Sequence, residues 1–238
     1  MPNIYLDIET FGGEKPTKED LFKGLKPAAA CKTDKSRAEN IEKQKKAIED
    51  DLENCIDKAW RKQALDFFKA QIICIGYKVD GNKTYSIAGD DEKRIMKTLD
   101  RACARARSKG VIKWFSFNGS KFDLAIIGLR AMKYNCKHVL ATLPKTERDK
   151  NNFDLMSRFT PTVWGSMYSL ANICKFLGIE VKTGDITGAT VHDHYLEGNI
   201  DGIAAYCRED VIVLPKLATK MGFSEVNLDD LKLNVPKT

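Results

Sequence analysis

Three short stretches of this 238-residue chain place acids where they could share one task. Asp7-Ile8-Glu9 closes the apolar run NIYLDI. Residues two apart in a strand point to the same side, so these two carboxylates would repel unless a cation sits between them. A D-x-E at a strand end is also common without any function. The stretch Asn118-Gly-Ser-Lys-Phe122-Asp123 follows the apolar run 111–117 and puts an acid in the first turn of a helix. The helix dipole alone could account for that acid. Tyr206-Cys-Arg-Glu-Asp210 spaces a phenol and a carboxylate four apart, on one face of a helix. Asp210 precedes Val211, Ile212, Val213 and Leu214, an apolar context in which a carboxylate needs a partner. Each signal is weak alone.

The elements that must position these groups read as an α/β chain. Residues 3–8 form a buried strand. Residues 71–79 and 83–88 form two more strands, joined by the turn Asp80-Gly81-Asn82 as an antiparallel hairpin. Ile95, Leu99, Cys103 and Ala106 recur at helical spacing over 91–109, and Gly110 stops that helix. VIKWFSF (111–117) is the next strand. Residues 121–134 are the next helix, with Leu124, Ile126, Ile127 and Met132 inward. Helices follow at 168–177 and 200–221, the last with Pro215 inside it. This order predicts a mixed sheet covered by helices.

Residues 12–69 interrupt the pattern with 14 basic and 12 acidic residues. From Ser36 the text reads as one helix with an apolar stripe of Ile41, Ile48, Leu52, Ile56 and Ala59. Ser36 and Glu39 have capping-box spacing. The expectation is one domain over 1–221, carrying a helical insertion at 12–69, and a tail at 222–238. In that tail Val226, Leu228, Leu231 and Leu233 could dock on the domain.

Taken in order, DIET (7–10), NGSKFD (118–123) and YCRED (206–210) resemble the three motifs of the DEDD, or DnaQ-like, 3′–5′ exonucleases of the ribonuclease H-like fold, in their tyrosine branch. FNGSKFDLAII, FDLM (153–156) and YSLANICKFLGI (168–179) look like the exonuclease domains related to family B DNA polymerase proofreading domains. The likeness covers 1–10 and 70–221; no polymerase domain follows, so a freestanding exonuclease is expected. It implies a ribonuclease H-like mixed sheet with a helical insertion after the first strand. It implies two divalent cations, Mg²⁺ or Mn²⁺, on Asp7, Glu9, Asp123 and Asp210, because hard cations prefer oxygen ligands. Tyr206 would orient a bound water, and Asn118 and Phe122 would contact the terminal nucleotide. Thr10 and Phe11 are weaker candidates beside the 3′ hydroxyl. Asp154 recurs in this branch as a helix cap or a supporting group. The implied activity is metal-dependent hydrolysis of DNA from 3′ ends to nucleoside monophosphates, favouring single-stranded ends. An exoribonuclease and a non-catalytic nucleic-acid-binding module are the alternatives. The implied partner is a nucleic acid with a free 3′ end, alongside a possible replication or recombination protein.

Composition agrees with this reading. Seven cysteines without a C-x-x-C pair argue against a disulfide framework or a thiolate zinc site. No apolar run approaches the ~20 residues of a membrane helix, and the N-terminus lacks signal-peptide order, so a cytoplasmic setting is expected. His192-Asp193-His194 is an incomplete metal set. The net charge of +6 is local: residues 93–113 hold eight basic residues against Asp100. There Arg94, Lys97, Arg101 and Arg105 form a stripe, either a solvated face or a track for phosphates.

Overall fold

The computed structural model describes residues 1–159, 168–181 and 184–223. In chain order the elements are β1 (Asn3–Gly12), α1 (Lys18–Lys23), α2 (Asp34–Asp50), α3 (Leu52–Gln63), β2 (Ala70–Val79), β3 (Tyr85–Ala88), α4 (Glu92–Arg107), β4 (Lys113–Ser116), α5 (Asp123–Lys133), α6 (Lys137–Thr142), β5 (Asn152–Asp154), α7 (Leu155–Phe159), α8 (Leu170–Phe176), α9 (Val191–Leu196) and α10 (Ile200–Lys220). They divide into two compact units, Thr10–Gln71 and the remainder. Residues 224–238, with the apolar positions Val226 to Leu233, lie outside the described residues. Among the described residues no helix is long and apolar enough to cross a membrane.

The larger unit is a mixed five-stranded sheet, in the order β3-β2-β1-β4-β5, flanked by helices. β2 and β3 form the expected antiparallel hairpin, with Tyr77 opposite Tyr85. Asp80 takes φ 49°, a left-handed turn conformation that Asp tolerates. β4 runs parallel to β1, Tyr5 beside Phe115, and to β5, Phe115 beside Phe153. That register stacks three rings across the sheet, Tyr5 on Phe115 at 4.7 Å and Phe115 on Phe153 at 4.6 Å. Val211, Leu214 and Leu217 of α10 and Ile173 of α8 close over this face. Strand alternation sends Ile4, Leu6, Ile8 and Trp114 to the other face, where the Trp114 indole donates to the Thr142 carbonyl at the end of α6.

One buried ion pair ties that second face together. Glu92 accepts from the Ile72 amide at 2.8 Å, from Arg130 Nε at 2.8 Å and from the Tyr134 hydroxyl at 2.6 Å. Both charges are about nine-tenths buried or more, at 6 % and 7 % side-chain exposure, so each depends on the other and on the extra hydrogen bonds.

Several local expectations need correction. β1 extends to Gly12, β3 begins at Tyr85 and β4 is confined to Lys113–Ser116. Met132 is 60 % exposed rather than inward. It follows Ile127 by five residues, about 140° around the helix at ~100° per residue, while Ala131 takes the inward place. β5, α6, α7 and α9 are three to six residues long and carry too few positions for a periodic signal.

In the smaller unit the single helix expected from Ser36 is two, broken at Asp51 (φ −140°, ψ 50°). The apolar stripe is therefore discontinuous, and neither α2 nor α3 has a buried residue. The capping box uses Thr33 rather than Ser36 as cap: Thr33 Oγ1 accepts from the Ser36 amide and Ser36 Oγ from the Thr33 amide, both at 3.1 Å. Trp60 donates to the Gly12 and Gly13 carbonyls at 2.9 Å and meets Phe11 edge-on at 5.2 Å. Thr10 Oγ1 donates to the Ala64 carbonyl at 2.8 Å. Thr10 and Phe11 are thus held within this unit.

Candidate active site

Alternation along β1 puts Asp7 and Glu9 on the same side as Tyr5, the face covered by α10. One oxygen of Asp7, one of Glu9 and the Cys207 sulfur lie within 4.8 Å of one another. Asp123 enters from the start of α5, one loop beyond β4, and its Oδ1 accepts from the Ile8 amide at 3.3 Å. Ile8 separates the two β1 acids, so this bond fastens the third carboxylate beside them. The fourth, Asp210, sits one turn beyond Tyr206 on the same face of α10, and the Tyr206 phenol helps to hold its carboxyl down.

The electrostatics are those of crowded acids without a counter-charge. Burial, then Glu9, Asp123 and Asp210, push the Asp7 carboxyl well above the usual range. Burial, then Asp210, Cys74 and Asp123, do the same to Glu9. Burial raises Asp123 to about 7, opposed by its own amide and that of Ile8. Burial raises Asp210 to about 6, opposed by the Tyr206 hydrogen bond. Among the described residues no Lys, Arg or His forms an ion pair with any of the four. Asp7 Oδ2 is buried and has no hydrogen-bond partner. An oxygen-rich set with an orphaned acceptor fits a hard divalent cation.

Cys207 falls outside such a set. Its thiol donates to the Asp7 carbonyl at 3.5 Å. Burial, then Cys74, then the β1 acids, raise its pKa well above a normal thiol. Nothing in its sequence context distinguished it from a small core residue. It sits where α10 lies close on the sheet: a Cβ on Gly76 of β2 would stand 2.8 Å from the Cys207 carbonyl and 3.0 Å from its Sγ.

The loop entering Asp123 is built on Asp154 at the end of β5. Asp154 is 4 % exposed and accepts from the amides of Asn118, Ser120, Met156 and Ser157. It therefore caps α7 and holds Asn118 at φ 61°. Gly119 is required inside that turn, because a Cβ there would collide with Ser116. Asn118 and Phe122 lie on this loop with their side chains partly exposed. The structure thus gathers Asp7, Glu9, Asp123, Asp210 and Tyr206, and sets Asn118 and Phe122 on the loop beside them. His192 and His194 do not converge: His192 is buried, while His194 Nδ1 lies 3.2 Å from Asn199 and 3.7 Å from Glu197.

Tyr206 is raised above an ordinary phenol by burial, then by Asp210, Glu9 and Asp7, with the Gly188 backbone opposing. The raised value keeps the phenol in its protonated form. Tyr206 and Asp210 also line a cavity of about 650 Å³, walled by Leu170, Ile179, Val181 and Ile186.

A family model described as a predicted 3′–5′ exonuclease related to the exonuclease domain of PolB matches residues 70–230. No curated protein sequence matches the chain. Among solved structures, the family B DNA polymerase from the hyperthermophilic archaeon Pyrobaculum calidifontis aligns with a TM-score of 0.54 at 11% identity, over 92% of this chain and 24% of the polymerase. The fold is therefore a ribonuclease H-like mixed sheet flanked by helices, and the chain spans about a quarter of the polymerase it resembles.

Proposed function

Because the chain belongs to the family of predicted 3′–5′ exonucleases related to the exonuclease domain of PolB, we propose that it hydrolyses DNA stepwise from free 3′ ends. The products are nucleoside monophosphates and single-stranded ends are preferred. Asp7, Glu9, Asp123 and Asp210 would hold two divalent cations, Mg²⁺ or Mn²⁺, which would supply charge to activate a water and to stabilise the departing 3′ oxygen. Tyr206 keeps its proton, lies one turn from Asp210, and orients the attacking water from the rim of the cavity. The apolar wall of that cavity offers a sugar and base a place beside the carboxylates. Asn118 and Phe122, partly exposed on the neighbouring loop, contact the terminal nucleotide. The observation that carries the reading is the four converging carboxylates with no cationic partner among the described residues.

The test is digestion of a 5′-labelled single-stranded oligodeoxynucleotide with Mg²⁺ or Mn²⁺, beside a matched RNA strand. Wild type should shorten the DNA in single-nucleotide steps, and a folded Asp7→Ala chain should not. Wild type that leaves every 3′ end intact with both metals overturns the proposal. Faster loss of the RNA assigns the enzyme to RNA instead.

A further inference from the structure

Beside the start of β1, away from the carboxylates, a second cavity of about 620 Å³ opens between the β2–β3 hairpin and α4. The Asp80 amide donates to the Asn3 carbonyl and the Asn3 amide to Asp80, so the far end of β2 adjoins the start of β1. Asp7 and Glu9 lie four and six residues further on, about 13 and 20 Å along a strand rising ~3.3 Å per residue. One nucleotide cannot reach both places.

The lining has two chemistries. Tyr77 and Tyr85 are stacked, with centroids 5.7 Å apart and planes 27° apart, and Tyr85 is 50 % exposed. Arg105 on α4 and Lys109, two residues past its end, border the cavity, and Arg101 lies one turn before Arg105. Arg105 and Arg101 both act electrostatically on the Tyr77 phenol. Among the described residues Arg101, Arg105 and Lys109 have no ion-pair partner. The acid in this stretch, Asp100, is spent on the His138 and Val139 amides. Arg101 and Arg105 stand about 6 Å apart along the helix, four residues at ~1.5 Å each, the scale of successive phosphates along a strand, and Lys109 follows in the turn after the helix.

We propose that this cavity is a second binding site for single-stranded nucleic acid, separate from the carboxylate centre. A base stacks on Tyr85, and the flanking phosphates sit on Arg101, Arg105 and Lys109. The basic stripe of α4 then serves as its electrostatic approach. The site does not depend on the exonuclease reading, because it is tested by binding alone.

The probes are fluorescein-labelled oligo(dT) and oligo(rU), measured by anisotropy with the full chain in EDTA across a salt series. Tyr85→Ala should weaken binding about tenfold, and Tyr85→Phe should restore it, since stacking needs only the ring. Arg105→Ala with Lys109→Ala should weaken binding and flatten the log K against log salt slope by roughly 1.4, about 0.7 per phosphate contact. Preference between the two probes tells DNA from RNA. The proposal is overturned if Tyr85→Ala and Tyr85→Phe bind alike, or if the double variant keeps the wild-type slope. It is equally overturned if polyglutamate competes with the oligonucleotides at equal charge, which would make the face a dock for acidic protein.

Discussion

Asp154 Oδ1 accepts from the Asn118 amide at 2.9 Å, joining the end of β5 to the loop that delivers Asp123. The same carboxylate takes the Ser120 amide on Oδ2 and two amides of α7 on Oδ1. Asp154 thus positions Asp123 without belonging to the cluster itself. Asp154→Ala would orphan buried amides, each charge-assisted bond being worth about 1.5–3 kcal/mol. The expected outcome is loss of at least ~3 kcal/mol in urea unfolding. Where the variant still folds, nuclease turnover should fall more than substrate affinity.

Stability of the metal-free chain should depend on pH in a fixed direction. Burial lifts Asp123 to about 7 and Asp210 to about 6, with Asp7 and Glu9 also raised. Between the unfolded carboxyl values near ~4 and these raised values, the folded chain binds more protons than the unfolded one. Its stability then falls as pH rises through that window. Melting in EDTA should be higher at about pH 5.5 than at about pH 8, and Mn²⁺ should raise it more at the higher pH. Equal melting temperatures in EDTA would contradict the raised carboxyls.

Tyr206→Phe removes only the hydroxyl that helps to hold the Asp210 carboxyl down. The ring still fills its place, so melting should change by less than about 1 kcal/mol. Nuclease turnover should fall by roughly 10²-fold, the scale of one positioned proton-handling group. Mn²⁺ should still raise the melting temperature. Asp210→Ala should lose both the activity and that metal response, which separates the phenol from the carboxylates.

These groups were legible in the sequence because their spacing is a property of one element. Asp7 and Glu9 share a face by strand alternation, and Tyr206 and Asp210 share one by the helical turn. Cys207 was not, because it acts across an interface, and Asp154, marked by the FDLM resemblance as a cap or supporting group, hid its loop partners for the same reason. The thiol meets Asp7 only once α10 lies on β1, and Asp154 meets Asn118 only once β5 pairs with β4. The sheet was foreseeable up to β4, whose hydrophobic run is long enough to read. β5 offered three residues and no period. The break at Asp51 was hidden because its neighbours keep helical composition on both sides.

Glu92 is a buried acid with a structural task. Arg130, Tyr134 and the Ile72 amide all converge on it. Glu92→Ala would leave the Arg130 guanidinium buried without its carboxylate, at a cost of about 3–5 kcal/mol. Glu92→Met with Arg130→Met removes both charges and should recover much of that loss. Urea unfolding of the two variants checks the order. A double variant less stable than Glu92→Ala would show that the pair is stabilising in its own right.

Gly76 sets how closely the helix bearing Tyr206 and Asp210 approaches the sheet. A Cβ there would stand 2.8 Å from the Cys207 carbonyl, 2.9 Å from Val211 Cγ2 and 3.0 Å from Cys207 Sγ. The first obstacle is helix backbone and cannot rotate away, so Gly76→Ala must push α10 outward. Overpacking of this kind costs about 1–3 kcal/mol, visible in thermal unfolding. The larger effect falls on the site, where a displacement approaching ~1 Å can cost about 10²-fold in rate. Gly81→Ala is the control, since its Cβ would meet nothing within 4 Å. Gly76→Ala should depress turnover while Gly81→Ala matches wild type. Equal activity of the two would mean that Asp210 does not need α10 held at this distance.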